Sequence, residues 1–239
     1  RTKHPNPLLT MEKKKNTPKL RFPEFTEEWE EKKLGEIFKI FNGYAFSSSD
    51  SVDAGIPWVK IADVGIQCMN KSNLSFLPDY FKVKYCNFLL RKGDFVIALT
   101  RPILNGKLKI AQIDDYYHDS LLNQRVGKIE TENDSIFIYS VLQKDEIISQ
   151  IESNIAGTDP PNLSPSEIND IMTFIPIKEE QTKIATFLTA VDEKLTQLKK
   201  KKTLLEQYKK GVMQKLFSQE LRFKDDNNQD FPDWQEKTL

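Results

Sequence analysis

The sequence predicts an α+β fold: a β-rich unit over residues 20–177, followed by one long coiled-coil-type α-helix over residues 178–218. Three observations carry this expectation. Residues 38–177 break into short apolar or alternating runs separated by turn residues, which is the pattern of strands. From Lys178 the pattern changes to an apolar stripe repeating every seven residues. A block near residue 20 also recurs near residue 221, so the unit and its helix lie between two copies of one segment.

With 239 residues, 38% hydrophobic and 10% aromatic, the chain has apolar material for a core of ordinary domain size. Residues 1–19 are expected to be a disordered leader, with residues 1–10, ahead of Met11, either a cloning remnant or part of a natural leader. Cys68 and Cys86 have no paired or metal-like spacing and read as small buried apolar residues. No apolar run approaches the roughly 18 residues of a membrane span, so no membrane association and a reducing, cytoplasmic setting are expected.

Within the β-rich unit, Trp58–Val64 and Lys107–Ile113 read as strands. Asn87–Leu90 and Phe95–Thr100 flank Arg91-Lys92-Gly93-Asp94, a hairpin turn in which Gly93 supplies a positive φ. Residues 136–155 carry helical apolar spacing that Asp134 or Ser135 can cap. Ser164-Pro165-Ser166-Glu167 is a capping box with proline at the first helical position. In the last segment Ile184, Val191, Leu198, Leu205 and Val212 recur at seven, with Leu188, Leu195 and Leu216 four residues after three of them. As a helix over 179–218 it would run about 60 Å. Lys202 and Lys209 interrupt the second register, so a short antiparallel pairing with a partner helix is expected over a long parallel zipper.

The repeat pairs Leu20-Arg21-Phe22, Trp29, Glu31, Lys32 and Leu34 with Leu221-Arg222-Phe223, Trp234, Glu236, Lys237 and Leu239, around a four-residue insertion. At about 200 residues it is too long for a solenoid unit. It implies two similar large halves, with residues 219–239 the truncated start of the second.

Enzymatic motifs fail on inspection, and no catalytic residue, metal or cofactor is expected. Asp159-Pro160-Pro161-Asn162 looks like an amino-methyltransferase motif, but Asn162 replaces the aromatic residue that stacks on a flipped base. No Gly-x-Gly turn exists among the nine glycines. Residues 157–162 read instead as a stiff extended loop. Pro78-Asp79 lacks the second acid of a metal nuclease, Asp192 and Lys194 fall in the long helix, and His4 and His118 are too few for a histidine site. A DNA adenine methyltransferase fragment stays as an alternative that S-adenosylmethionine binding would separate, and a coiled-coil interaction scaffold as another.

Charge is segregated. Residues 20–177 hold 16 basic and 23 acidic side chains, net −7, whereas residues 82–128 hold nine basic against four acidic, net +5. Such a basic ridge on strands and loops can neutralise phosphates, while Asn105, Gln112, Asn123 and Gln124 offer bonds to base edges. The expected contacts to double-stranded DNA are Lys60, Arg91, Lys92, Arg101, Asn105, Lys107, Asn123, Gln124 and Arg125. Arg101 is favoured for base contact, because Thr100-Arg101-Pro102 ends an apolar strand. An ordinary mixed-charge surface is the competing reading. Residues 178–218 hold ten basic and five acidic side chains, with Lys199–Lys202 consecutive, either a solvated face or a surface for DNA or an acidic partner.

The assembled pattern resembles the specificity subunit of Type I restriction-modification systems. Its carriers are Leu20-Arg-Phe-Pro-Glu-Phe25 with Trp29, Asn42-Gly-Tyr-Ala-Phe46, Leu90–Asp94, Asn123-Gln-Arg-Val126, Asn162-Leu-Ser164, and above all Ile175-Pro-Ile-Lys-Glu-Glu-Gln181 with Ile184-Ala185 and the Lys-rich helix. The resemblance implies that residues 20–177 are a target-recognition domain reading half of a split DNA site, and residues 178–218 a conserved spacer helix. Methyltransferase and restriction subunits are the implied partners. With one recognition domain present, its helix is expected to pair with a second recognition domain or, in a two-fold homodimer, through Ile184, Leu188, Val191, Leu195, Leu198, Leu205, Val212 and Leu216.

Overall fold

The computed structural model describes residues 18–72, 74–157 and 159–235; His4 with the rest of 1–17, and Glu236, Lys237 and Leu239, lie outside the described residues. The described residues form two compact units, one up to Ala185 and one from Thr186.

The first unit opens with β1 (Glu30–Lys33), α1 (Leu34–Ile37), β2 (Lys39–Asn42), β3 (Ile56–Val59), β4 (Phe76–Leu77) and α2 (Phe81–Lys84). It continues through β5 (Phe95–Ala98), β6 (Ile103–Leu104), β7 (Lys107–Leu108), β8 (Ile110–Gln112), β9 (Leu121–Leu122) and β10 (Val126–Glu130). Helices α3 (Ser135–Val141), α4 (Asp145–Ile155) and α5 (Pro165–Asn169), then β11 (Met172–Ile175), lead into α6 (Lys178–Phe217).

Its centre is a four-stranded sheet in the order β2-β10-β5-β8, antiparallel throughout. All four residues of β5 are buried, as a central strand covered on both faces requires. Phe95 and Ile97 face the core built by α1, α3, α4 and α5, while Val96 and Ala98 face a second core with Val59, Leu122 and Tyr117. The alternation follows from successive side chains pointing to opposite faces. A smaller sheet runs β4-β3-β9, with β3 and β9 parallel. β1 pairs antiparallel with β11, which ties the start of the unit to its end.

Several local expectations need correction. The strand from Trp58 stops at Val59, because the Asp63 carboxylate accepts the Lys60 amide (2.8 Å) and closes a turn. The run from Lys107 divides at Lys109, whose amide turns to the Pro102 carbonyl (2.7 Å) and whose carbonyl accepts from Ala98 (3.0 Å). The 91–94 turn forms, with Gly93 at φ +96, but it closes no hairpin. β5 is already flanked by β10 and β8, so the segment before the turn goes elsewhere: the Leu90 amide donates to Ser120 (2.9 Å) and Leu89 bridges Leu121. The helix expected over 136–155 is two helices, broken where Lys144 is extended, so both apolar faces reach one core. Asp134 caps the first, accepting the Ile136 and Phe137 amides (3.0 Å each). Cys68 and Cys86 are exposed, not buried: Cys68 lies in the turn between Gly65 and Asn70 and Cys86 in a 3-10 turn, outside the three apolar cores.

The capping box forms as read, with the Ser164 amide donating to Glu167 (2.5 Å) and Pro165 at the first helical position. α6 begins in the first unit, where Glu180, Gln181 and Ala185 are buried, and its residues from Thr186 belong to the second. In the second unit the helix ends at Phe217, Gln219 takes a left-handed φ of +60, and the segment after it folds back so that Trp234 meets Phe217 edge-on.

Candidate nucleic-acid interface

The register of the central sheet sorts the expected DNA contacts into two groups. Asn42, Gly127, Ile97 and Ile110 form one row across the four strands. Beyond that row, at one end of the sheet, come Tyr44, the Gln124–Arg125 turn, Leu99–Arg101, and the hairpin β6–β7 with Asn105 and Lys107. Arg91 and Lys92 precede β5 and so lie at the opposite end. The continuous +5 ridge suggested by residues 82–128 is therefore not one surface: an antiparallel strand order sends neighbouring charges to opposite ends.

At the first end, backbone bonds fix the positions. The Leu99 amide donates to the Arg125 carbonyl (2.9 Å), and the Gln124 amide to Tyr44 (3.0 Å). Asn123 is buried, and its side-chain oxygen accepts the Arg125 amide (2.9 Å), so it shapes this turn instead of facing outward. Gly43 lets the neighbouring strand approach, since a Cβ there would stand 2.3 Å from the Leu122 and Asn123 carbonyl oxygens. Arg101 is exposed in a left-handed conformation, φ +50, unusual for a side chain of this size. Its amide donates to Pro161 (2.8 Å), Thr100 Oγ1 donates to Asn162 Oδ1 (2.8 Å), and the Leu163 amide donates to Leu99 (2.7 Å). Residues 161–163 thus brace the loop that presents the Arg101 guanidinium. Asn105 and Gly106, both at positive φ, make the two-residue turn of β6–β7, an Asn-Gly hairpin signal that the sequence carries openly.

The ion pairs divide the candidates further. Lys107 pairs with Asp145 (2.9 Å), Lys92 with Asp115 (2.6 Å), and Arg91 contacts Asp119. Lys60 Nζ donates to Ser75 (2.8 Å) and sits 4.0 Å from the centre of the Trp58 ring. Lys109 Nζ donates inward to the Ile61 carbonyl (2.7 Å), and burial holds its pKa below the ordinary lysine range. Burial raises the nearby Asp63 carboxyl above the usual range. Among the described residues, Arg101 and Arg125 make no ion pair. Their guanidinium groups are open for bidentate contact to phosphate or guanine, as the Gln124 amide is for adenine.

Two residues of this end escaped sequence reasoning. Asn162 was weighed as a failed catalytic residue in a stiff loop and as part of a family motif, and Tyr44 as part of a motif, neither as a residue of the reading edge. Tyr44 is 39% exposed and stacks among Phe46, Tyr85 and Phe88. The glycine before it was the available signal.

Along α6, Ile184 packs on the first unit's core, while Leu188, Val212 and Leu216 are half-buried. Val191, Leu195, Leu198 and Leu205 are exposed by 40, 47, 50 and 56%. That part of the stripe faces solvent.

The profile of the Type I restriction modification DNA specificity domain matches residues 26–207, most of the chain. The chain belongs to this family. Among curated relatives, it is 32% identical over 216 residues to the Type I restriction enzyme MjaVIII specificity subunit of Methanocaldococcus jannaschii, covering 89% of this chain and 51% of the relative. It is 29% identical over 181 residues to the EcoAI specificity subunit of Escherichia coli, covering 74% and 30%. The Type I restriction-modification S subunit from M. genitalium has a similar fold, with a TM-score of 0.55 at 18% identity over 84% of this chain and 49% of that one. The specificity-domain chain thus spans about half, or less, of the length of these relatives. The long helix and mixed sheets fit the family's α+β architecture. Among the described residues no cluster of His, Cys, Asp or Glu could hold a metal ion, and no helix is long and apolar enough to cross a membrane.

Proposed function

We propose that this specificity domain is a non-catalytic DNA target-recognition unit that reads one half of a split site through the sheet end carrying Arg101, Gln124 and Arg125. The observation that carries the reading is the convergence, from distant parts of the chain, of two arginines that make no ion pair among the described residues on one braced edge: Arg101 is held by residues 161–163 and Arg125 by the Leu99 and Asn123 bonds. Rigid presentation is what base readout needs, because a guanidinium must arrive at the groove with its fork aligned. Asn105 and Lys107, on the β6–β7 hairpin, and Lys60, next to Val59 whose carbonyl accepts the Asn123 amide (3.2 Å), flank this edge as contacts to the DNA backbone. Arg91 and Lys92, at the opposite end and in contact with Asp119 and Asp115, take no part in base readout.

The exposed stripe of α6 pairs with the corresponding helix of a second recognition unit, in the same protein or in a second copy of this chain, and sets the spacing between half-sites. Methyltransferase and restriction subunits dock on that assembly in the cytoplasm. The test is the modification pattern of a host carrying the intact subunit, read by methylome sequencing. One half-site should change when Arg101 and Arg125 are replaced by alanine and the other should not. An unchanged pattern in both halves would remove the assignment.

A further inference from the structure

The repeated segment has a visible job in its first copy. Arg21 Nη2 donates to the Glu27 carbonyl (2.5 Å), closing the segment on itself. The same guanidinium then grips both oxygens of Glu180, in the first turn of α6, through Nε and Nη2 (2.7 Å each), and Trp29 Nε1 adds a third bond (3.3 Å). Glu180 is fully buried. A buried carboxylate needs such donors, because its desolvation is otherwise uncompensated. The segment Leu20–Trp29 is thus a seat for the start of a long helix.

The second copy repeats the closure of the segment on itself, while its tryptophan meets Phe217 at the end of α6. Arg222 Nη2 donates to the Pro232 carbonyl (2.5 Å), and Pro232, like Glu27, stands two residues before the tryptophan. The longer loop is absorbed by a further bond to the Phe231 carbonyl (2.8 Å) and by an ion pair with Asp233, whose side chain is 95% exposed. Among the described residues no carboxylate meets Arg222 Nε, and Phe223 and Trp234 are 73% and 55% exposed. In the first copy, the corresponding Trp29 is packed on the core.

We infer that Leu221–Trp234 is the seat for the first turn of a second long helix, belonging to another recognition unit of this design, whose acid at the position of Glu180 binds Arg222 and Trp234. A second copy of this chain is a poorer occupant, since its own Glu180 is already held by its own Arg21. Relatives about twice as long as the matched stretch have room for such a unit. The inference is independent of which sheet end meets DNA.

The test brings the seat to the acid already present. In the full chain, residues 20–29 are replaced by the sequence of residues 221–234, and thermal unfolding is compared with the parent and with a chain lacking residues 20–29, which sets the floor. The expected result is a midpoint within about 3 °C of the parent, roughly what 1 kcal/mol moves in a chain of this size. Within the graft, Arg222→Ala should lower it as far as Arg21→Ala lowers the parent, and pairing Arg222→Glu with Glu180→Arg should recover part of the loss. A graft that unfolds at the floor, or does not fold, overturns the inference. So does a graft in which Arg222→Ala changes nothing.

Discussion

Replacing Arg101 by alanine separates a reading edge from a merely basic surface. Each phosphate contact contributes a slope of about 0.9 to the dependence of log affinity on log salt. Between about 50 and 200 mM salt one such contact accounts for roughly a 3.5-fold loss. If Arg101 meets a phosphate, Arg101→Ala should lower the slope by about 0.9 on any duplex, cognate or not. If it forks onto a guanine, the loss should be about 1–3 kcal/mol, roughly 5- to 150-fold, on the cognate half-site alone. The brace formed by Thr100, Pro161 and Asn162 favours the second outcome, because it fixes the backbone from which the guanidinium projects. Fluorescence anisotropy with a labelled duplex carrying the methylated site, and with a scrambled duplex, at four salt concentrations measures both quantities. Arg125→Ala should behave alike, and Arg91→Ala and Lys92→Ala should change little, since they sit at the opposite end of the sheet and contact Asp119 and Asp115. If Arg91 and Lys92 matter more than Arg101 and Arg125, the edge has been assigned to the wrong end.

Other consequences are open to direct measurement. Asp134→Ala leaves the Ile136 and Phe137 amides without their acceptor and should cost about 1 kcal/mol in urea unfolding, with Asp134→Asn nearly neutral. Gly43→Ala drives a methyl against two carbonyl oxygens and should lower the thermal midpoint, and DNA affinity with it by disturbing the Gln124 turn. Leu198→Lys with Leu205→Lys should convert any helix-paired dimer to monomer in sedimentation velocity; a self-association unaffected by both changes excludes the exposed stripe as the interface. Burial holds the folded-state pKa of Lys109 below its ordinary 10.5, so the native chain binds fewer protons than the unfolded chain between the two values. Stability should rise with pH through that window, and Lys109→Met should flatten the rise in urea midpoints.

Local chemistry was enough for the features whose cause is local. The capping box at Ser164, the heptad stripe of α6 and the positive φ at Gly93 are each set by residues within one or two turns of each other, and the repeat is legible by comparison of the chain with itself. The family resemblance rests on the same kind of signal. What the sequence left open was decided by strand order. Nothing near Asn87–Leu90 reveals that β5 has both edges occupied, nor does anything near Leu142 reveal that two short helices must fold onto one core.

The recognition edge shows the same division. Arg101, Gln124 and Arg125 were readable as candidates from charge and amide content, but their company was not. A run of basic residues in sequence became two surfaces, because antiparallel strands return the chain to one end only every second crossing. Asn123 turned inward to hold a turn, and Asn162, discarded as a catalytic residue, became part of a brace 61 positions from Arg101 in sequence. The sequence by itself determined the α+β class, the long helix, the repeat and the family, since these depend on neighbours along the chain. Only the tertiary structure decided which charges share a surface and which are cancelled by an acid, because that depends on backbone hydrogen bonds between segments far apart in sequence.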